Sequence, residues 1–198
     1  MRVLGVLGSP RRGGNSEVLA RAIIAPLEES GADVTVAELN RLQYRGCQAC
    51  RACKTTLEHC VLEDDLKPVL EAFRESDVIV LASPVYFGDM TGQMKCFFDR
   101  TFENLVPDYA VVDHPSRLAP GKQAVIVVTQ AAPDAHFADV IPRYSAFLDW
   151  YGIETIHTLR AVDVHERGEV RTRTDYLQNA QTIAERILGS LHRQSPDG

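Results

Sequence analysis

Five short apolar runs, each followed by a stretch with helical spacing, constrain this chain more than any other feature. The runs are Val3–Leu7, Asp33–Leu39, Asp77–Ala82, Lys122–Thr129 and Gly152–Leu159. The third is apolar almost throughout, as a strand covered on both faces must be. The intervening stretches repeat apolar residues every three to four positions. The first runs from Glu17 toward Pro26–Ser30 and stops at Gly31. Another is capped by Asp64 or Asp65 and carries Leu66, Val69, Leu70 and Phe73. A third starts at Thr91, a fourth covers 137–151 with Pro142 kinking or delaying its start, and the last covers about 174–191. Alternation of this kind dictates an α/β fold with a parallel sheet between helical layers. Five strands suit the order 2-1-3-4-5, whose ligand crevice opens outside the carboxyl ends of the first and third strands, where the order reverses.

Three loops converge on that crevice. The first, Gly8–Ser16, joins strand to helix with two adjacent glycines, Gly13 and Gly14, at its turn. Ser9, Asn15 and Ser16 are neutral donors and Arg11 a forked cation, and the free N–H groups of the following helix add partial positive charge. A tight turn capped by Asn15 or Ser16 is the simpler reading of the same residues. The loop lacks the lysine of a Walker A motif and the spacing of a dinucleotide fingerprint. A hydroxyl-rich loop of this kind suits a phosphomonoester held without metal, as in FMN. The second loop, Ser83–Asp89, places Pro84, Val85, Tyr86, Phe87 and Gly88 where a connection is ordinarily polar. An apolar, aromatic wall beside a phosphate cradle fits a flat isoalloxazine, whose polar edge backbone N–H groups near Gly88 can meet. The third loop begins at Thr129 and Gln130, and the small side chains of Ala131 and Ala132 after them permit close backbone approach to a ring.

The other conspicuous stretch is Cys47, Cys50, Cys53 and Cys60, spaced C-x2-C-x2-C-x6-C. Two residues between thiols let one turn aim both at a single centre. Three in series wrap one face of a [4Fe–4S] cube and a fourth closes it. Free or redox-active thiols are the second option. Zinc, with His59 adjacent, is the third, although structural zinc sites draw their ligand pairs from two separate turns. Cys96 falls in the helix after Thr91 and reads as a small core residue. Arg12, Arg100 and Arg117 are possible receivers of a nicotinamide cofactor's phosphate, but single arginines are usually solvated.

The G-S-P-R-R-G-G-N-S loop, the cysteine motif with Asp64-Asp65 after it, and S-P-V-Y-F-G resemble the NADPH-dependent FMN reductases of the flavodoxin-like superfamily, and within them the iron-sulfur flavoproteins. The resemblance covers residues 1–105. It implies a flavodoxin-like three-layer sandwich, FMN, one [4Fe–4S] cluster on Cys47, Cys50, Cys53 and Cys60, and a homodimer or homotetramer with the cysteine loop near another subunit's flavin.

The net charge of −6 gives no support to nucleic-acid binding. No apolar run approaches the roughly 20 residues of a membrane span, and the first strand begins at once, which leads to the expectation of a cytoplasmic protein. At 198 residues the chain reads as one domain, 1–191, with a cysteine-rich insertion at about 44–62 and a frayed tail, 192–198. The functional expectation is an FMN-dependent oxidoreductase that passes electrons from NAD(P)H or a ferredoxin-like donor to an acceptor. The alternatives are an NAD(P)H-dependent FMN or quinone reductase without a cluster, and a non-enzymatic redox-sensing flavoprotein.

Overall fold

The central strand is β3, Val78–Tyr86. On one side it pairs in parallel with β1, Arg2–Leu7, which in turn pairs with β2, Asp33–Glu38. On the other side lies β5, Gln123–Thr129, and then β6, Thr155–Ala161. The five long strands therefore run in the expected 2-1-3-4-5 spatial order, and the fold is flavodoxin-like. The computed structural model describes residues 1–192. The end of the chain from 193, where the sequence places a frayed tail, lies outside the described residues.

A sixth strand departs from the five expected. β4 is the dipeptide Asp89–Met90, antiparallel to the end of β3 through the pairs Val85–Met90 and Tyr86–Asp89. The stretch read as a loop from Ser83 is thus an extension of β3 followed by a two-residue hairpin turn. Both turn residues have positive φ, 52° at Phe87 and 89° at Gly88. That pair of conformations matches the right-handed twist of the flanking strands. The Asp89 carboxylate fastens the hairpin to α5, Val140–Trp150. It accepts from Arg143 at 2.8 Å and from the Tyr144 hydroxyl at 3.1 Å.

Alternate residues of the central strands feed two cores. Leu4, Val6, Ile79, Leu81, Ile126 and Val128 face α3, Lys67–Glu75, together with α4, Gly92–Arg100, and α5. Val3, Leu7, Val80, Ala82, Val125 and Val127 face α1, Asn15–Glu29, and α6, Thr174–His192. Fully burying each aliphatic side chain contributes about 1.5–3 kcal/mol, so the sheet's all-apolar interior is what holds the layers together. Between β2 and α3 the chain is irregular apart from a 3-10 turn at Leu39–Arg41 and a single helical turn, α2, Ala52–Thr55.

Local details differ from the sequence expectation for physical reasons. α5 begins at Val140, which places Pro142 in the first turn, where a missing N–H costs nothing. The expected Asp64 cap of α3 is only partial. Asp64 Oδ1 takes the Leu66 N–H at 3.2 Å, but both its oxygens are directed mainly to Arg100. Cys96 is half-buried rather than in the core, and its Sγ would lie 3.2 Å from a Cβ placed on Gly46, a tight approach.

Candidate functional site

At the carboxyl ends of β1, β3 and β5 the structure forms a cavity of about 240 Å³. Ser9, Arg11, Asn15 and Ser16 line it from the first loop, and Pro84, Val85 and Tyr86 from β3. Thr129 and Gln130 close it below. Three separate stretches of sequence therefore meet in one place. Phe87 and Gly88 do not line it. They form the hairpin tip beyond its rim, where Phe87 is fully exposed and a Cβ on Gly88 would lie 3.4 Å from the Phe137 ring. Gly13 also stands outside the lining, and its N–H donates to Glu17 Oε2 at 2.7 Å.

The loop is held rigidly by its own polar groups. Ser9 Oγ accepts from the Arg11 N–H at 3.1 Å, and the Gly14 N–H reaches Arg11 O at 3.1 Å. The Val18 N–H closes the first helical bond, to Gly14 O at 2.9 Å. The N–H groups of Asn15, Ser16 and Glu17 precede that bond, so the helix itself offers them no acceptor. Ser16 is 1% exposed and lines the cavity, with its hydroxyl engaged by no hydrogen bond among the described residues. The side chains of Asn15 and Gln130 are already committed. Asn15 donates to Glu166 O at 2.9 Å and accepts from the Val170 N–H at 3.2 Å. Gln130 Nε2 donates to the carbonyls of Ala132, Pro133 and His136, and its Oε1 accepts from Arg160. These two residues shape the cavity through their backbone and build its walls with their side chains.

Gly8 couples this loop to α4. Its carbonyl accepts from Thr91 Oγ1 at 2.8 Å, and Thr91 Oγ1 also accepts from the Met94 N–H at 3.2 Å as the helix cap. A Cβ on Gly8 would lie 2.9 Å from both Thr91 Oγ1 and Met94 Cβ, so only glycine admits this approach.

Sequence reasoning missed the fourth wall, formed by Val164, His165 and Arg167. They come after β6 at the far edge of the sheet. The chain must then return to α6, which packs beside α1, and on the way it crosses the top of the cavity. The Val164 N–H donates to Gln130 O at 3.1 Å, and Asn15 holds the rest of the crossing. The topology was the signal available, because a chain that leaves the edge strand and packs its last helix beside α1 must pass back across the sheet.

A second cavity, of about 230 Å³, is lined by all four cysteines of the motif. Cys47 and Cys50 are exposed, and Cys53 and Cys60 half-buried. Left-handed residues on either side of Cys50, Ala49 at φ 52° and Arg51 at φ 61°, coil the backbone between the thiols. Each costs on the order of 1 kcal/mol or more and needs surrounding structure to hold it. That structure is the segment around Glu103. Lys54 is buried and donates to Phe102 O at 2.5 Å and Leu105 O at 2.6 Å, with its ammonium 4.0 Å from the Phe102 ring centre. The Cys60 N–H donates to Glu103 Oε2 at 2.5 Å, and Arg74 bridges Glu58 O and Glu103 Oε1. Burial pushes the Cys53 thiol up, the Lys54 ammonium opposes that, and the thiols of Cys60, Cys47 and Cys50 add to it. Burial lowers Lys54 in turn.

Two of the arginines considered for a nicotinamide phosphate are spent in this region. Arg100 is buried against Asp64, and Arg117 donates to Glu103 O at 2.6 Å and to Leu105 O. His59 lies beside a separate small recess with Cys60. Among the described residues no three His, Cys, Asp or Glu side chains converge on a single point as the ligands of one ion would. Thiols spread around a shared cavity instead suit a polynuclear group, in which each thiolate takes its own iron.

No helix of the described residues is long and apolar enough to cross a membrane. Residues 1–151 match the model of the NADPH-dependent FMN reductase family. An iron-sulfur flavoprotein of Archaeoglobus fulgidus is 39% identical over 100 residues, 50% of this chain and 45% of that protein. One from Methanosarcina thermophila is 35% identical over 101 residues, 51% of this chain and 52% of that protein. The chain thus spans about half the length of the curated relatives it matches. In fold it is similar to an FMN-dependent NADH-azoreductase from Bacillus anthracis in complex with FMN. There the TM-score is 0.73 at 14% identity, with 94% of this chain and 99% of that chain covered. An NAD(P)H:quinone oxidoreductase from Methanothermobacter marburgensis gives 0.71 at 17% identity, covering 94% and 96%.

Proposed function

Because the chain belongs to the NADPH-dependent FMN reductase family, we propose that it is an FMN-dependent oxidoreductase with a [4Fe–4S] cluster on Cys47, Cys50, Cys53 and Cys60. It would take electrons from NAD(P)H or a ferredoxin-like donor and deliver them to a small-molecule or protein acceptor. The observation that carries the first half is the single cavity at the sheet's switch point, with the unpaired N–H groups of the α1 N-terminus at one end and Pro84, Val85 and Tyr86 along its wall. The convergence of four thiols on one cavity carries the second. When bound, FMN exchanges electrons in pairs or singly, and a cluster passes them one at a time.

The chain's own residues bind and orient. Arg11, Ser16 and the first-turn N–H groups would hold the terminal phosphate, an anion well placed at a helix N-terminus. Tyr86 and Val85 would flank the ring, with backbone N–H groups of the turn near its polar edge. The left-handed residues Ala49 and Arg51 on either side of Cys50 support the reading, because left-handed residues set among right-handed ones form the backbone concavities that take anionic groups. The curated relatives named iron-sulfur flavoproteins support the same reading. A homodimer or a dimer of dimers is part of the proposal. An apolar groove of about 500 Å³ beside Cys47, walled by Phe98, Phe147 and Trp150, offers a surface for a second copy.

The reading without a cluster, an NAD(P)H-dependent FMN or quinone reductase, is favoured by one observation, the exposure of the Cys47 and Cys50 thiols. Anaerobic purification followed by iron, sulfide and flavin analysis separates the two. Cys50→Ser should lose iron and keep FMN. A native protein with flavin and no iron after anaerobic reconstitution would leave the reductase reading standing alone. Steady-state NAD(P)H oxidation with a dye acceptor separates either enzyme from a redox sensor.

A further inference from the structure

Arg100 ends α4 with its side chain wholly shielded from solvent. Its Nη1 donates to the Asp64 oxygens at 2.7 and 2.6 Å and to Arg45 O at 3.2 Å, and its Nη2 donates to Leu62 O at 3.2 Å. Its Nε–H, shut off from solvent, has no acceptor among the described residues. Burying an unpaired donor is unfavourable, the more so when the group is charged. Arg100 and Cys60 line the same cavity, and they also share the wall of the small recess beside it.

Several cations are anchored in the layer beneath the cysteine loop. Lys54, Arg74, Arg100 and Arg117 are cations tied to that layer, and Asp64 and Glu103 are the carboxylates bonded among them. Lys54 and Arg117 donate only to backbone carbonyls. Lys54 is buried with no carboxylate bonded to it, and buried charge without a partner is costly, so an anionic occupant above it is favoured. Four thiolates around a cluster supply one.

We propose that the Arg100 Nε–H is reserved for the Cys60 thiolate of the occupied cysteine site, and that Arg100 is the positioning residue that orients this ligand and raises the cluster's reduction potential. The inference rests on the cluster reading above. The guanidinium is the group that can do this, because its rigid fork keeps two nitrogens on Asp64 and backbone carbonyls while the third points elsewhere. A hydrogen bond to a ligating sulfur draws electron density from it and favours the more reduced state.

The test compares wild type with Arg100→Lys, which keeps a cation beside Asp64 and removes the Nε donor. The double variant Arg100→Gln/Asp64→Asn removes the ion pair as a unit and serves if the single variant does not fold. Each protein is reconstituted anaerobically with iron and sulfide and titrated by visible absorption, with the flavin bands of the same molecule as internal reference. The expected result is a folded variant with FMN bound, its cluster potential shifted downward, its flavin potential unmoved and its cluster lost faster to a chelator. Iron uptake with an unshifted cluster potential in a folded variant would overturn the role of Arg100 alone. Failure of the wild type to take up iron would overturn this role and the cluster reading together.

Discussion

Thr91→Val removes one hydroxyl from the joint between the first loop and α4, and its effect can be worked out from the contacts. Valine keeps the shape, so no cavity opens. The Met94 N–H loses its cap acceptor at 3.2 Å, and cap losses cost about 1 kcal/mol. The Gly8 carbonyl loses a donor at 2.8 Å in a wholly buried setting, which adds about 1–3 kcal/mol. The sum, about 2–4 kcal/mol, corresponds to a melting temperature lower by roughly 5–15 °C in a chain of this size. Urea unfolding of the apo-protein measures it, read as a shift of midpoint at constant slope. Thr91→Ser keeps the hydroxyl and should recover most of the loss. If Thr91→Val unfolds within about 0.5 kcal/mol of wild type, the Gly8–Thr91 joint does not hold the two elements together, and its buried hydrogen bonds contribute nothing net.

Other outcomes rest on the same geometry. Arg11→Ala should weaken FMN binding by the usual cost of a charge-assisted contact, about 1.5–3 kcal/mol or roughly 10- to 150-fold in Kd by fluorescence titration; an unchanged Kd would move the phosphate elsewhere. Asn15→Ala should lower stability by about 1–2 kcal/mol, since two hydrogen bonds to the 166–170 crossing are lost, and hydrogen exchange there should quicken; unaltered protection would mean that Asn15 does not hold the crossing. Burial would raise the Asp64 carboxyl, but the Arg100 hydrogen bond and the N–H groups of Arg45 and Leu66 prevail and hold it below its ordinary 3.8. A depressed carboxylate stabilises the fold above its unfolded pKa, and that contribution is lost as pH falls through the folded one. Stability should therefore drop from about pH 5 downward, and Asp64→Asn should flatten the urea midpoint against pH in that range.

The strands and their order were legible because burial on both faces writes a continuous apolar run, as in Asp77–Ala82, and because strand–helix alternation admits few topologies. The meeting of the Gly8, Ser83 and Thr129 loops came with that order. The β3–β4 hairpin was not legible, since a two-residue strand has no period and Phe87 is not a residue that announces a left-handed turn. Asp64 read as a helix cap because capping is local, whereas its partner Arg100 lies 36 positions away and nothing in the local pattern names it. Asn15 looked like a free donor for the same reason, its partners being more than 150 positions on. Local pattern shows which groups can bond, and only the folded chain shows which are already taken.

Helix α4 is capped by Thr91, which is tied to Gly8 in the loop of one cavity, and ends at Arg100 in the wall of the other. Nine helical residues at 1.5 Å each make a strut of about 14 Å. The separation between the two chambers is therefore written into a count of residues. A single insertion in this helix would turn its far end by about 100° and carry Arg100 away from Asp64 and out of the cavity wall. The irregular cysteine segment between β2 and α3 carries no such register. Across descendants of this sequence, changes of length belong in that segment, while the strut should keep its residue count.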